Sequence, residues 1–352
     1  MIRPDHLGDV LFLTPALHAL RRVQPNATIT ALVGPWAKSI LANNPDVDHV
    51  ETLAFPWFDR KPKRGLLDPY QRLYAAASML CGRFDTALIC RFDHWWGAWL
   101  AAAAGIPRRI GYNTPDVRPF LTEAVTYAPG QHEVLQNFGL TCRLGTPATI
   151  TPTDAPLRFP VTEEERAAAH CLLEGCGIWE GEGPLVAIHP GSGALVKRWR
   201  TEQWARLAEV LHARHGARFV ITGGPDEVAL AAEVAEGVRG RVPVASVAGQ
   251  TSLGELVALF EQCDLAVGPD SGPLHLAVAA GCRTVHLYGP VTPQSFGPWG
   301  DPTRNVVVHQ HLACQFCNRL DWTEAQLPEH PCVTHIPFSM AHDAAERLLS
   351  NL

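Results

Sequence analysis

The chain has 352 residues, which at about 150 residues per domain suggests two domains. Its composition, 47% hydrophobic and 18% charged, is that of a globular protein and excludes a disordered one. A net charge of -6 argues against a general nucleic-acid binder, yet residues 55–118 hold ten Lys/Arg against five Asp/Glu, a local excess suited to an anionic partner.

The N-terminal stretch PDHLGDVLFLTPAL (4–17) puts Asp9 behind Gly8 at the mouth of an apolar helical pattern. An aspartate there is either a helix cap or a carboxylate aimed out of a loop into a cleft. Pro15 either kinks that helix or starts a second one with Thr14 as its cap. Asp5 and Asp9 interrupt the apolar core that a secretory signal needs. The longest apolar run, WWGAWLAAAAGI (95–106), falls short of the ~20 residues that cross a bilayer. A cytoplasmic protein is expected, touching at most the inner face of a membrane. Ten cysteines in such a chain read mainly as reduced thiols, with Cys90, Cys263 and Cys282 in apolar runs.

Strands are predicted near 27–33, 49–53 and 85–90, with helices near 35–43, 67–81 and 94–104 between them. A hairpin-like piece at RRIGY and EAVTYA precedes a helix over 131–144. The Pro/Thr-rich LGTPATITPTDAPLRFP (144–160) reads as a linker. Beyond it, strands near 185–190, 217–223, 243–249, 264–270 and 284–290 alternate with helices near 201–214, 226–237, 252–262 and 273–280. The predicted organisation is an N-terminal domain over 1–150, a linker and lead-in helix over 151–183, a second domain over 184–335, and a closing helix over 336–352 that packs back on the first. Strand–helix alternation implies an α/β protein of two doubly wound parallel sheets facing across a cleft, with ligands beyond the carboxyl ends of the strands.

Four stretches carry chemistry. AIHPGSGALVKRW (187–199) leaves a strand through Ser192 and Gly193, whose amides can cradle phosphate, and Lys197 adds a point charge for a diphosphate. A plain strand-to-helix turn with a surface lysine fits equally well. Val196 stands where a dinucleotide fingerprint needs its third glycine, which argues against a nicotinamide enzyme. VGPDSGPLHLAVAAG (267–281) is the strongest signal: Asp270 and Ser271 end a strand, Gly272 permits a tight turn, and Pro273 suits the first turn of a helix. Asp270 is either an N-cap or, with the helix amides, a holder of nucleotide-sugar phosphate; His275 lies one turn in. TGGPDE (222–227) offers Gly223 and Glu227 on the same rim, for a base or ribose. FPWFDRKPKRG (55–65) mixes aromatics with Arg60, Lys61, Lys63 and Arg64 and suits an anionic membrane or glycolipid, or is a solvated loop. Cys314, Cys317 and Cys332, with His309, His311, His330 and His335 nearby, are weak zinc candidates because a second C-x-x-C is missing; a thiol cluster or facultative disulfide is the expectation there.

Taken together, RPDHLGDVLFLTPAL, HPGSG…KRW, TGGPDE, and GPDSGPLHLAVAAG followed by LYGP resemble glycosyltransferase family 9, the heptosyltransferases of lipopolysaccharide core synthesis. The tail CQFC…HPC is similar to that of many members. The resemblance spans the chain and implies a GT-B fold, with acceptor on the first domain and nucleotide sugar on the second. It also implies an inverting, metal-independent transfer from a nucleotide-diphosphate heptose, typically the ADP form, to an anionic glycolipid, with no cofactor. By it Asp9 matches the general base, Lys197 the lysine on the donor phosphates, and Asp270, Ser271, Gly272 and His275 the donor loop. Members have a full first strand before the RP…LGD turn, whereas here only Met1 and Ile2 precede Arg3. A start placed too late is therefore expected, since a sheet without its central strand exposes unpaired edges. Rival readings are another nucleotide sugar as donor, a GT-B nucleotide-sugar epimerase, and a zinc-stabilised envelope scaffold.

Overall fold

In a computed structural model, which describes residues 1–59 and 65–352, strand β1 is Ile2–Arg3 and bonds on both sides. It pairs in parallel with β2 (Thr30–Val33), Ile2 opposite Leu32 and Arg3 opposite Val33, and the N-terminal ammonium donates to Thr30 O at 2.7 Å. On its other side Ile2 bridges Ile89, and Cys90 N donates to Ile2 O at 3.0 Å, just past β4 (Thr86–Leu88). Two residues therefore join the ladder β1–β2–β3 (β3, His49–Thr52) to the ladder β4–β5–β6 (β5, Arg108–Tyr112; β6, Glu123–Val125). The position between β2 and β4 is thus taken by a two-residue strand.

The chain divides into a first unit, Met1–Arg158, and a second, Phe159–Leu352, with the division inside the Pro/Thr-rich segment. In the first unit, α1 (Leu7–Leu11) and α2 (Thr14–Val23) follow β1. Pro15 sits in the first turn of α2, so it starts a second helix; Thr14 is that helix's first residue and not its cap. The predicted helix after β2 is a 3₁₀ segment, Pro35–Ile40. Then come α3 (Asp68–Leu80), α4 (Trp95–Ala103) and α5 (Glu133–Thr141). Helix α3 buries Leu73, Ala76, Ala77 and Leu80 at helical spacing against Trp96, Leu100 and Ala101 of α4 and Ile2, Leu32 and Ile89 of the sheet. The expected hairpin is instead a parallel pair, with Ile110 opposite Glu123. The connection through the 3₁₀ turn Arg118–Phe120 runs back along β5, held by Arg109 donating to Phe120 O at 2.7 Å, and so enters β6 in the same direction.

The second unit has one six-stranded parallel sheet, ordered β12-β11-β10-β7-β8-β9. Its strands are β7 (Leu185–Ile188), β8 (Arg218–Ile221), β9 (Val244–Ser246), β10 (Leu265–Pro269), β11 (Arg283–Leu287) and β12 (Asn305–Val308). The edge strand β12, a β-branched NVVV run, was not anticipated from the sequence. Central strands are buried on both faces, as crossover helices on each side require. One layer packs α6 (Glu163–Gly175) on α9 (Leu253–Glu261) and α9 on α10 (Gly272–Ala279). The other packs α7 (Thr201–His215) on α8 (Val228–Glu236). After a short α11 (Pro293–Phe296), the chain closes with α12 (Phe338–Leu349). Helix α12 is part of the second unit, against α7 and β10 to β12. No helix among the described residues is long and apolar enough to cross a membrane.

Candidate active site

In each unit the strand order reverses at one point, between β1 and β4 in the first and between β7 and β10 in the second. Crossovers there leave to opposite faces, which opens a crevice beyond the carboxyl ends of the two strands.

The second crevice holds Lys197, past the end of β7, and Asp270, past the end of β10. Lys197 Nζ lies 2.6 Å from Asp270 Oδ2, and His275 Nε2 lies 3.5 Å from Oδ1. Burial opposes the charge on Asp270, but Lys197 and His275 outweigh it and hold the carboxyl well below the ordinary aspartate range. The cap of α10 is Ser271, not Asp270, and its hydroxyl makes no cap bond. That hydroxyl is buried and has no hydrogen-bond partner among the described residues. Gly272 opens the helix and Pro273 follows in its first turn, so the positive dipole end and first-turn amides border the Lys197–Asp270 pair. Beneath them His286 is fully buried, its ring centroid 5.5 Å from that of His275 and its Nε2 2.9 Å from Thr284 Oγ1. Burial keeps His286 neutral by pushing its pKa down.

Glu227 belongs to the same rim. Its Oε2 accepts from Gly224 N at 2.9 Å and lies 3.7 Å from Nε2 of buried His189. A Cβ on Gly191 would sit 2.0 Å from Glu227 Oε1, and one on Gly223 would sit 3.2 Å from Glu227 Cβ. Both glycines thus make room for this carboxylate. Ser192 is buried, with its hydroxyl 3.5 Å from Ala194 N, whereas Gly193 is exposed at the turn. Gly268 of β10 sets the depth of the crevice: a Cβ there would meet His189 O at 2.6 Å and Leu274 Cδ2 at 2.5 Å. Gly268→Ala is expected to destabilise the protein by about 1–3 kcal/mol through overpacking, read as a lower urea midpoint with unchanged slope.

The first crevice contains Asp9, in the first turn of α1. His6 is the cap residue of that helix, so the cap reading of Asp9 fails. Asp9 Oδ1 lies 3.5 Å from Arg3 Nη2, with 26% of its side chain exposed. Arg3 is buried and also meets Asp5 at 2.7 Å, Glu133 at 2.6 Å, the Cys90 carbonyl and, at 3.4 Å, Asn137 Oδ1. Arg91, beyond β4, pairs with Asp5 and Asp93. Partial burial and then the neighbouring charge of Asp5 push the Asp9 carboxyl up to about 7, against the pull of Arg3. Arg3, Asp5, Arg91 and Glu133 were not picked out as site residues from sequence. The available signal was a repeated Arg-x-Asp, RPD at 3–5 and RFD at 91–93, leaving two adjacent strands.

Arg60, Lys61, Lys63 and Arg64 lie outside the described residues. On either side of them Trp57, Leu66, Leu67, Tyr70 and Tyr74 are exposed, and ring contacts link Trp57 to Trp95 at 5.4 Å and Tyr74 to Trp99 at 6.1 Å. In the tail, Cys314 and Cys317 are exposed, Cys332 is buried, and all are free thiols. Among the described residues no three His, Cys, Asp or Glu side chains come together as a metal site.

The fold agrees with comparisons to known proteins. The chain is 24% identical over 300 residues to lipopolysaccharide heptosyltransferase 3 of Escherichia coli, 84% of each chain being covered. It is similar to the crystal structure of a family 9 glycosyltransferase from Veillonella parvula, with a TM-score of 0.77 and 24% identity over 100% of this chain and 96% of that one. It is also similar to the structure of E. coli ADP-heptose lps heptosyltransferase II, with a TM-score of 0.72 and 20% identity over 99% and 98% of the two chains. The fold is therefore that of the GT-B heptosyltransferases. The model of glycosyltransferase family 9 (heptosyltransferase) matches residues 74–324, and the chain belongs to that family of glycosyltransferases.

Proposed function

We propose that the protein transfers a heptose-type sugar from ADP-heptose to a lipopolysaccharide core or related anionic glycolipid, with inversion and without a metal ion. The observation that carries this reading is the Lys197–Asp270 pair at 2.6 Å beside the first turn of α10. An ammonium has three donor hydrogens, so Lys197 can hold Asp270 and still reach a donor phosphate. Ser271 and the α10 amides supply further donors, Gly272 admits close approach, and Glu227 accepts from a ribose hydroxyl. In the transfer, Asp9 takes the proton of the acceptor hydroxyl as its oxygen bonds to the anomeric carbon. The bond from that carbon to the diphosphate breaks, and the negative charge gathers on the diphosphate, where Lys197 and the helix dipole stabilise it in place of a metal.

The test is ADP release from ADP-heptose with and without a heptose-accepting core glycolipid. The expected result is release that needs the acceptor, with the acceptor gaining one heptose in mass. Acceptor-independent release with an altered free sugar would identify an epimerase, and turnover only with another nucleotide sugar would correct the donor.

The reading includes peripheral contact at the cytoplasmic face of the inner membrane. Its support is the exposed aromatic surface of Trp57, Tyr70 and Tyr74, residue types that settle at headgroup depth. Trp57→Ser combined with Tyr74→Ser is expected to weaken co-sedimentation with anionic vesicles by about tenfold or more, from the apolar area withdrawn. Unchanged sedimentation removes membrane contact from the reading and leaves the transfer chemistry standing.

A further inference from the structure

Three carboxylates converge on one buried guanidinium, and they do not share it equally. Glu133 Oε1 is 2.6 Å from Arg3 Nη1 and Asp5 Oδ2 is 2.7 Å from Nε, whereas Asp9 Oδ1 is 3.5 Å from Nη2. Asp5 has a second cation in Arg91. Glu133 has none among the described residues, but it is the first residue of α5, where the helix dipole favours a carboxylate's charge. Asn137, one turn further along α5, donates to Phe12 O at 3.1 Å and so ties this helix to the end of α1. The charged groups facing Asp9 are therefore Arg3 from β1, Asp5 from the turn after it, Arg91 from beyond β4 and Glu133 from α5. Two guanidinium groups oppose four carboxylates once Asp93 is included, and Asp9 is the one left with the weakest pairing.

We propose that Glu133 is a positioning residue: by occupying Arg3 it keeps that cation from closing on Asp9 and leaves Asp9 as the proton acceptor of the cluster. The inference rests on the reading of Asp9 as general base and adds what makes it basic. A carboxylate paired squarely with an arginine is a weak base, and one held at the edge of an over-subscribed arginine is a stronger one. Glu133→Gln keeps the shape of the side chain and an oxygen for Arg3 but removes the charge that competes for it. Glu133→Asp keeps the charge.

The experiment follows the Asp9 carboxyl by carbon-13 NMR titration, with the signal assigned by its loss in Asp9→Asn, alongside the pH profile of kcat/KM. In the unmodified protein Asp9 is expected to titrate near 7, as burial and the Asp5 and Glu133 charges dictate. In Glu133→Gln its midpoint and the acid limb of the profile are expected to fall together by about one unit, the effect of one nearby charge. Glu133→Asp is expected to restore both. A Glu133→Gln titration that matches the unmodified protein overturns the inference. So does a midpoint below about 5 in the unmodified protein, a result that needs neither Glu133 variant to fold. Full activity in Asp9→Asn would instead refute the base assignment and leave the titration result intact, which separates the two failures.

Discussion

Asp9→Asn is expected to lower kcat/KM for sugar transfer by about 10²–10⁴-fold, the usual contribution of a positioned general base. Asparagine keeps the size of the side chain and cannot take the acceptor's proton. Binding of ADP, measured by calorimetry, is expected to stay the same, because Asp9 and the Lys197 cluster arise from different units of the chain. The pH dependence has a definite sign. With Asp9 as the proposed base the active form is the carboxylate, and its carboxyl is pushed up to about 7, so the kcat/KM of the unmodified protein is expected to fall tenfold per unit on the acid side of that point. The same limb is absent from the residual activity of Asp9→Asn. A variant that keeps the limb would place the titrating group elsewhere.

Lys197→Met is expected to have an effect of similar size on activity and a large one on stability. It removes the charge proposed to meet the leaving diphosphate, for a loss in kcat/KM on the order of 10²–10³. It also leaves the buried Asp270 carboxylate without its cation, and breaking a buried pair in this way costs about 3–5 kcal/mol. Lys197→Met combined with Asp270→Asn is expected to recover most of the stability and none of the activity, which divides the structural role of the pair from its chemical one. Linkage supplies a second check. Asp270 has its carboxyl depressed below 3.8 in the folded protein, so the pair's stabilisation is present above that value and is lost as pH falls toward the folded pKa. Urea midpoints of Lys197→Met and the unmodified protein should therefore begin to converge as pH falls below about 4. Midpoints that stay equally far apart there would show that the stabilisation comes from packing of the lysine stem.

What could be read in the sequence follows the range of the forces involved. Strands such as LVAI and LAVGP announce themselves because both faces are buried, and a turn such as PDSGPL carries its own backbone chemistry. Lys197, Asp270 and His275 were therefore legible as one candidate set before their contacts were known. The parallel pairing of β5 with β6 was not, because the direction of a short strand depends on where its connection is pinned, here by Arg109 to the Phe120 carbonyl. Strand β12 was missed for a related reason: four residues on a sheet edge make sense only beside β11. The Arg3 cluster was hidden most deeply. Arg3 and Glu133 are 130 positions apart, and no local pattern brings α5 to β1. Asp9 was legible as a carboxylate at the end of a glycine-led turn, while its basicity depends on partners that only tertiary structure collects.

The reversal of strand order in each unit has a consequence for the charge that each crevice presents. The same architecture is used twice with inverted polarity. At the first reversal a buried cation is ringed by carboxylates, and at the second a buried carboxylate is ringed by a lysine, a histidine and a helix N-terminus. The first reversal thus gathers an excess of carboxylates around its arginines, whereas the second pairs its lysine with a single carboxylate beside a helix N-terminus. On the proposed reading, a leaving diphosphate meets its stabilising donors at the second reversal and the proton acceptor stands at the first, so the two halves of the reaction are assigned to differently charged surroundings.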